Sequence, residues 1–258
     1  IPTINHFSTQ GATVGPVGMI NVDFIREVDF ISGAFPANRG NSLSSVMNIK
    51  LIDGRDDRPG ATFTVGASEV AAAFETPLKD KGNLIFAVRT SYLQLLFKAL
   101  QLPFLPTYND FQFKTKLKLN ARNELTILGL GAIDNFELNL AANTSEEQQF
   151  LLGSLPDNDQ WNYTLGLRHK IYLENSYWTF VASRSMLNNR VVKYQNNDDS
   201  TEDNLTLKLI SQEIDNKFRL ENTARIKGWK YTFGLGSEIS KFTNSTFNKV
   251  FIPNIGEQ

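Results

Sequence analysis

Few side chains in this sequence are typed and spaced for chemistry. It has no Cys, so disulfides, thiolate nucleophiles and Cys-based zinc sites are excluded. Its two histidines, His6 and His169, stand too far apart in the chain for a His-pair metal motif, so carboxylates would have to supply most ligands. Asp157-Asn158-Asp159 and Asp198-Asp199 gather oxygens, but Ca²⁺ takes six or more and neither run continues in loop spacing. Both runs read as solvated loops. Gly15-Pro16-Val17-Gly18 reads as a turn rather than an anion cradle. A His-Glu-x-x-His helix, a phosphate-binding Gly-Lys-Ser/Thr loop and a Gly-x-Ser-x-Gly elbow are all missing. The expectation is a protein without catalytic residues, metal or cofactor.

Composition narrows the class further. The 258 residues carry 26 Lys+Arg against 27 Asp+Glu, a net charge of −1, and no basic cluster suited to nucleic acid. No apolar run approaches the roughly 18–20 residues of a membrane helix. The run Leu84-Ile85-Phe86-Ala87-Val88, for one, ends at Arg89. Residues 1–10 lack the basic and apolar regions of a signal peptide.

What the sequence does have is alternation. Phe111, Phe113, Thr115, Leu117 and Leu119 oppose Gln112, Lys114, Lys116 and Lys118. Trp161, Tyr163, Leu165, Leu167 and Ile171 oppose Asn162, Thr164, Gly166, Arg168 and Lys170. Phe218 to Ile226 and Trp229 to Ile239 repeat the pattern, and 60–67, 69–76, 83–95, 125–137 and 177–194 do so less regularly. Period two places each set on one face of a strand. His169 breaks the apolar side, which predicts a neutral imidazole near an interface or a bulge that shifts register.

Alternation alone fits a soluble antiparallel sandwich as well as a membrane barrel. Two features favour the barrel. Tight polar turns at 78–83, 120–123, 174–176 and 227–228 alternate with long links at about 97–110, 138–160 and 195–208, the asymmetry of outer-membrane barrels. Trp161, Tyr163, Tyr177, Trp178, Trp229 and Tyr231 stand near strand ends, where amphipathic rings suit a membrane–water interface. Between them the apolar faces are almost free of charge.

The first sixty residues differ. Asn5 to Gly18 reads as loop, and Val22, Phe24, Val28 and Phe30 as buried positions in a short mixed segment. Val46 to Leu51 reads as a strand, and Asp53 to Gly60 as a charged linker. Phe24-Ile25-Arg26-Glu27-Val28-Asp29-Phe30, then Gly33, then Arg39-Gly40-Asn41-Ser42-Leu43-Ser44-Ser45-Val46-Met47-Asn48-Ile49-Lys50, resembles the end of the plug domain of TonB-dependent outer-membrane receptors. Gly-Ala-Phe-Pro-Ala before Arg39-Gly40 is similar to the Bacteroidota-type variant. Ser32 and Ser44-Ser45 depart from the family's usual basic residue and Gly pair.

The resemblance implies an all-β transmembrane antiparallel barrel, present in part as about nine strands, preceded by the C-terminal part of a mixed α/β plug. The plug part would cover 1–58 and the barrel strands 59–258. The family's barrel has about 22 strands, so the chain is expected to be a piece of a longer protein. The implied function is capture of an external nutrient (an iron chelate, glycan or peptide) and import by energy-driven rearrangement of the plug. Partners would be outer-membrane lipid and a TonB-type energising complex, with a surface lipoprotein or larger outer-membrane assembly left open; the location would be the bacterial outer membrane. His6, Phe7 and Gln10 would contact substrate at the plug apex. Asn38 and Arg39 would fix a plug turn or meet a lumen carboxylate such as Glu238. Two other readings stand beside this one: a non-transporting docking barrel, and a soluble β-sandwich binding module.

Overall fold

The computed structural model describes residues 4–9, 15–33, 35, 44–252 and 256–257. Two short antiparallel pairs come first. Strand β1 (Asn5–His6) pairs with β2 (Val17–Gly18), and β3 (Ile25–Ser32) with β4 (Ser45–Leu51). A single antiparallel sheet of nine strands follows: β5 (Gly60–Val65), β6 (Glu69–Pro77), β7 (Gly82–Ser91), β8 (Phe104–Asn120), β9 (Asn123–Leu138), β10 (Asp157–Tyr172), β11 (Ser176–Tyr194), β12 (Leu205–Ile226) and β13 (Trp229–Asn248). Each strand pairs with its neighbours in sequence, so the sheet is a meander with β5 and β13 at its edges.

The register turns alternation into two chemically opposed faces. Along one row Asp110 faces Ala132 of β9 and Arg89 of β7, and Gln112 faces Leu130 and Ala87. Across β10 to β13, Thr164, Ser185, Asp215 and Ser240 form another row of this polar face. The opposite face carries Phe63, Phe111, Leu165, Phe218 and Phe233, exposed by 74, 42, 48, 45 and 60%. Among the described residues no second layer lies over these side chains. Burial of apolar area is worth about 25 cal/mol per Å², so this face leaves a large favourable term unused within the chain.

The ends of the sheet also differ. At one end the connections are short, at 78–81, 121–122, 173–175 and 227–228. Lys227 (φ 48°) and Gly228 (φ 84°) are both left-handed, as a two-residue hairpin turn matched to strand twist requires. At the other end lie helix α1 (Leu93–Ala99), helix α2 (Glu146–Ser154) and the 195–204 link. Ser145 and Gln148 cap α2 reciprocally.

Several expectations change here. The links predicted at 97–110 and 138–160 are shorter, because β8 starts at Phe104 and β10 at Asp157, and each link holds a helix. Asp157 and Asp159 therefore lie in a strand, and Trp161 sits inside β10 rather than opening it. The connection at 66–68 is short although it lies at the long-link end; Tyr92 pins it, donating its N–H to Ser68 O and its hydroxyl to Gly66 O. Asn5–His6 and Val17–Gly18 are strands, where loop and turn were predicted. Of the expected buried positions only Phe24 is buried; Val22, in the short turn ahead of β3, is exposed, and so are Val28 and Phe30, because the β3–β4 pair has one face to which nothing described is applied. His169 causes no bulge: β10 keeps register with both neighbours, and the ring donates from Nε2 to Asn123 Oδ1, 3.0 Å away.

Two glycines shape the apolar face. The Phe113 ring lies across Gly129, where an added Cβ would come within 2.2 Å of the ring, and the Phe111 ring lies across Gly131. An aromatic folded over a cross-strand glycine restores the side-chain contact that glycine lacks. Gly129→Ala is expected to push the Phe113 ring aside and cost about 1–3 kcal/mol, the usual range for overpacking. Gly153→Ala in α2, where nothing lies within 4 Å, should be neutral or slightly stabilising. Urea midpoints of the two variants check the contrast, and equal midpoints would contradict it.

Candidate functional site

The polar face is where the N-terminal residues dock. Three sets of contacts hold them, running from the long-link end of the sheet toward the tight-turn end.

The first set is a charge cluster around His6, which is completely buried. Its Nδ1 lies 2.6 Å from Asp134 Oδ1 and its Nε2 lies 2.9 Å from Asp110 Oδ2. A neutral imidazole has one N–H and one lone pair, so it would set a lone pair against one of these carboxylates. The geometry therefore calls for an imidazolium donating from both nitrogens. Asp110 Oδ2 also accepts from Arg89 Nε at 2.7 Å, and Arg89 Nη2 donates to Gly18 O at 2.6 Å. The 3.2 Å approach of Arg89 Nη2 to His6 Nε2 is then a contact between two donors, held together by the carboxylate they share.

Glu69 completes the group. It lies 3.4 Å from Arg89 Nη1 and accepts the Tyr108 hydroxyl. Tyr108 in turn stacks on the His6 ring, with centroids 4.3 Å apart. Two cations, His6 and Arg89, thus stand against three carboxylates, Asp110, Asp134 and Glu69. Burial opposes the charged His6, but the hydrogen bonds to Asp110 and Asp134, and their charges, outweigh it and raise the pKa above the ordinary histidine value. Asp134 also accepts the Phe7 N–H at 2.9 Å, and Phe7 has φ 53°, an uncommon conformation for a bulky residue. Gln160 donates to Ser8 O at 2.7 Å.

The second set is mostly apolar. Met19 packs with Leu128, Leu130 and Ala132, and Phe24 with Ala73, Ile85 and Ala87. Between them the Asn21 N–H donates to Gln112 Oε1 at 3.0 Å. The third set lies just after β4. Lys114 Nζ donates to Leu51 O, Ile52 O and Asp53 Oδ1 at 3.0, 2.7 and 2.6 Å, and Lys116 Nζ to Asp53 Oδ2 at 2.9 Å. Burial would raise the Asp53 pKa, yet the two ammonium groups hold it at about 2.

The residues singled out in the sequence fare differently. His6 has both ring nitrogens committed to carboxylates, which leaves none for an external ligand. Phe7 is half-buried beside it. Gln10, Asn38 and Arg39 lie outside the described residues. Glu238 pairs with Lys217 at 2.7 Å. Of the basic side chains on the polar face, Lys114 and Lys116 take Asp53, and Arg168 lies 3.7 Å from Glu124. Among the described residues no group of three His, Asp or Glu side chains is arranged to hold a metal ion. The residues that sequence reading missed are Arg89, Asp110, Asp134 and Asp53. Asp134 carried a faint signal, since it follows an apolar Gly-Ala-Ile stretch where a charge must find a partner.

No protein-family model and no curated protein matches the chain. The arrangement itself is a lock of charges between one segment and one sheet face.

The lock should respond to pH from both sides. A raised histidine pKa gives stabilisation that is complete below the unfolded value of about 6.5 and is lost as pH climbs through the higher folded value. A depressed Asp53 pKa gives stabilisation that is complete above the unfolded value and is lost as pH falls through about 2. Amide exchange at residues 5–8, corrected for intrinsic rates, should quicken as pH rises past the His6 transition. Asp134→Ala, which strands a buried imidazolium, should weaken docking by about 3–5 kcal/mol at pH 6. Exchange that ignores both changes would refute the lock.

Proposed function

We propose that the chain is part of a TonB-dependent outer-membrane receptor, its nine strands belonging to the barrel wall and residues 1–58 to the plug inside it. One observation carries this reading: the N-terminal segment covers the polar face, and the apolar face is left uncovered. A soluble sandwich would place its second layer on the apolar face. A barrel reverses this, with lipid outside and polar groups within.

Dimensions support the same reading. From Trp161 to Ile171 the apolar side of β10 spans ten steps, about 33 Å at 3.3 Å per residue, or about 25 Å when tilted by roughly 40°. That is the height of an outer-membrane apolar band. Trp178, Trp229 and Tyr231 border it at the tight-turn end, whereas Tyr172 and Tyr177 pair with each other on the polar face. The free edges of β5 and β13 fit too, because a strand in hydrocarbon needs every backbone group paired. On this reading both edges take further strands.

The mechanism is gating. An external nutrient (an iron chelate, glycan or peptide) binds above the plug, with Phe7 and Gln10 as proposed contacts and Asn38 and Arg39 shaping the plug turn. His6 acts as an internal clasp instead. A TonB-type complex then does work on the plug, and beside the apolar anchors Met19 and Phe24 the contacts it must break here are polar ones that water can replace. Lys114, Lys116, Arg168 and Lys217 would line the opened path.

The test uses the complete reading frame in its own bacterium. Membrane fractionation should recover the protein in the outer membrane, and deletion should abolish growth on one limiting nutrient. Collapse of the inner-membrane proton gradient should stop uptake of that nutrient. Recovery in buffer without detergent would overturn the barrel, and uptake that survives the collapse would overturn the energised import.

A further inference from the structure

The apolar face holds a guanidinium that pairs with no carboxylate among the described residues. Arg184 of β11 lies there, opposite Leu165 of β10 and Asn216 of β12, and is exposed. Its Nε donates to the Tyr163 hydroxyl at 3.1 Å and its Nη1 to Asn216 Oδ1 at 3.2 Å. Both acceptors are neutral. They fix the plane of the guanidinium while leaving Nη2 and one N–H of Nη1 unused. One step toward the long-link end, Met186 faces Ile214 and Ile214 faces Lys241, so Lys241 shares this face; it too is exposed and has no described carboxylate partner. Arg190 on the same side is different, for Asp159 neutralises it at 2.9 Å.

Next to Arg184 the same face hollows out. A trough of about 920 Å³ opens among Phe63, Val88, Phe111, Ile133, Trp161 and Tyr163. Its floor is low because Ala72 and Gly131 have little or no side chain. Tyr163 belongs to both features: its ring walls the trough and its hydroxyl holds Arg184.

We infer that this margin binds a lipid with an anionic phosphate headgroup, the phosphate on Arg184 and Lys241 and an acyl chain in the trough. The inference rests on the reading that lipid covers the apolar face. A guanidinium with three free N–H groups on two nitrogens can meet two phosphate oxygens. Its neutral supports hold it ready, so less freedom is lost on binding. A cation on a lipid-facing strand is tolerated best near the headgroups, where phosphate is available. The uncompensated charge and the apolar trough are thus complementary to the two halves of one molecule.

The experiment uses the complete protein, purified in detergent and stripped of lipid. Native mass spectrometry would compare phosphatidylglycerol with phosphatidylcholine bearing the same chains. Retention of phosphatidylglycerol should exceed phosphatidylcholine roughly tenfold, the scale of one charge-assisted contact. Arg184→Gln with Lys241→Gln should remove the preference, Arg184→Lys should keep part of it, and Tyr163→Phe should weaken it. Millimolar inorganic phosphate should not displace the lipid, since the trough holds the chain.

Equal retention of the two lipids by the unaltered protein would overturn the site, as would full preference in the double variant. Displacement by phosphate would overturn the acyl trough. Should the double variant fail to fold, an unchanged preference in both Arg184→Lys and Tyr163→Phe would have the same force. A protein that enters bilayers yet does not discriminate lipids loses only this site, whereas one that never enters a bilayer loses the membrane reading itself.

Discussion

A sheet with one greasy and one polar face needs something to cover the greasy one, and in this chain nothing among the described residues does. Phe63 and Phe233 remain 74 and 60% exposed. The described N-terminal segment lies on the polar face instead. Water would penalise the uncovered face heavily, so the arrangement makes physical sense when hydrocarbon is the solvent on that side. The strand lengths, the aromatic margins and the neighbour-to-neighbour pairing all become consistent under that one condition.

The polar side answers a different constraint. A segment held by apolar packing alone would be expensive to move, and one held by loose polar contacts would not seal. Here Met19 and Phe24 supply small apolar anchors, and charged groups do the rest. The cluster works because its charges are shared. Asp110 serves both His6 and Arg89, and Asp134 serves the imidazolium and the Phe7 N–H. Removing any one of them leaves a buried partner unpaired, which couples the positions into a unit. On the proposed reading that unit is what a pull on the plug must undo.

Legibility from sequence followed locality. The strands announced themselves because period two is written in adjacent residues, and the neighbour-paired meander needs no long-range inference. The helices were harder. Ser145-Glu146-Glu147-Gln148 is a capping signature, but α2 has no clear apolar stripe, and α1 is only 7 residues of mainly apolar sequence continuing from a strand. The pairing in the charge lock could not be read, since His6 and Asp134 are 128 positions apart and the faint local signal at Asp134 does not say which residue it meets. His6 drew attention as one of two histidines, but as a ligand for something external. Arg184 was hidden by the same effect that made the strand legible: an alternation counted by its majority conceals a single charge on the apolar side.

The central claim concerns what touches the apolar face, and site-directed spin labelling measures that directly. Labels would be placed at Leu165, Phe218 and Leu235 on that face, and at Thr164, Lys217 and Glu238 on the other, in the complete protein reconstituted into bilayers. The account predicts that labels at the first three collide readily with molecular oxygen and poorly with a water-soluble nickel chelate, the signature of hydrocarbon. Labels at Leu165, Phe218 and Leu235 that are shielded from oxygen and chelate alike would mean a protein layer covers the face, and would contradict it.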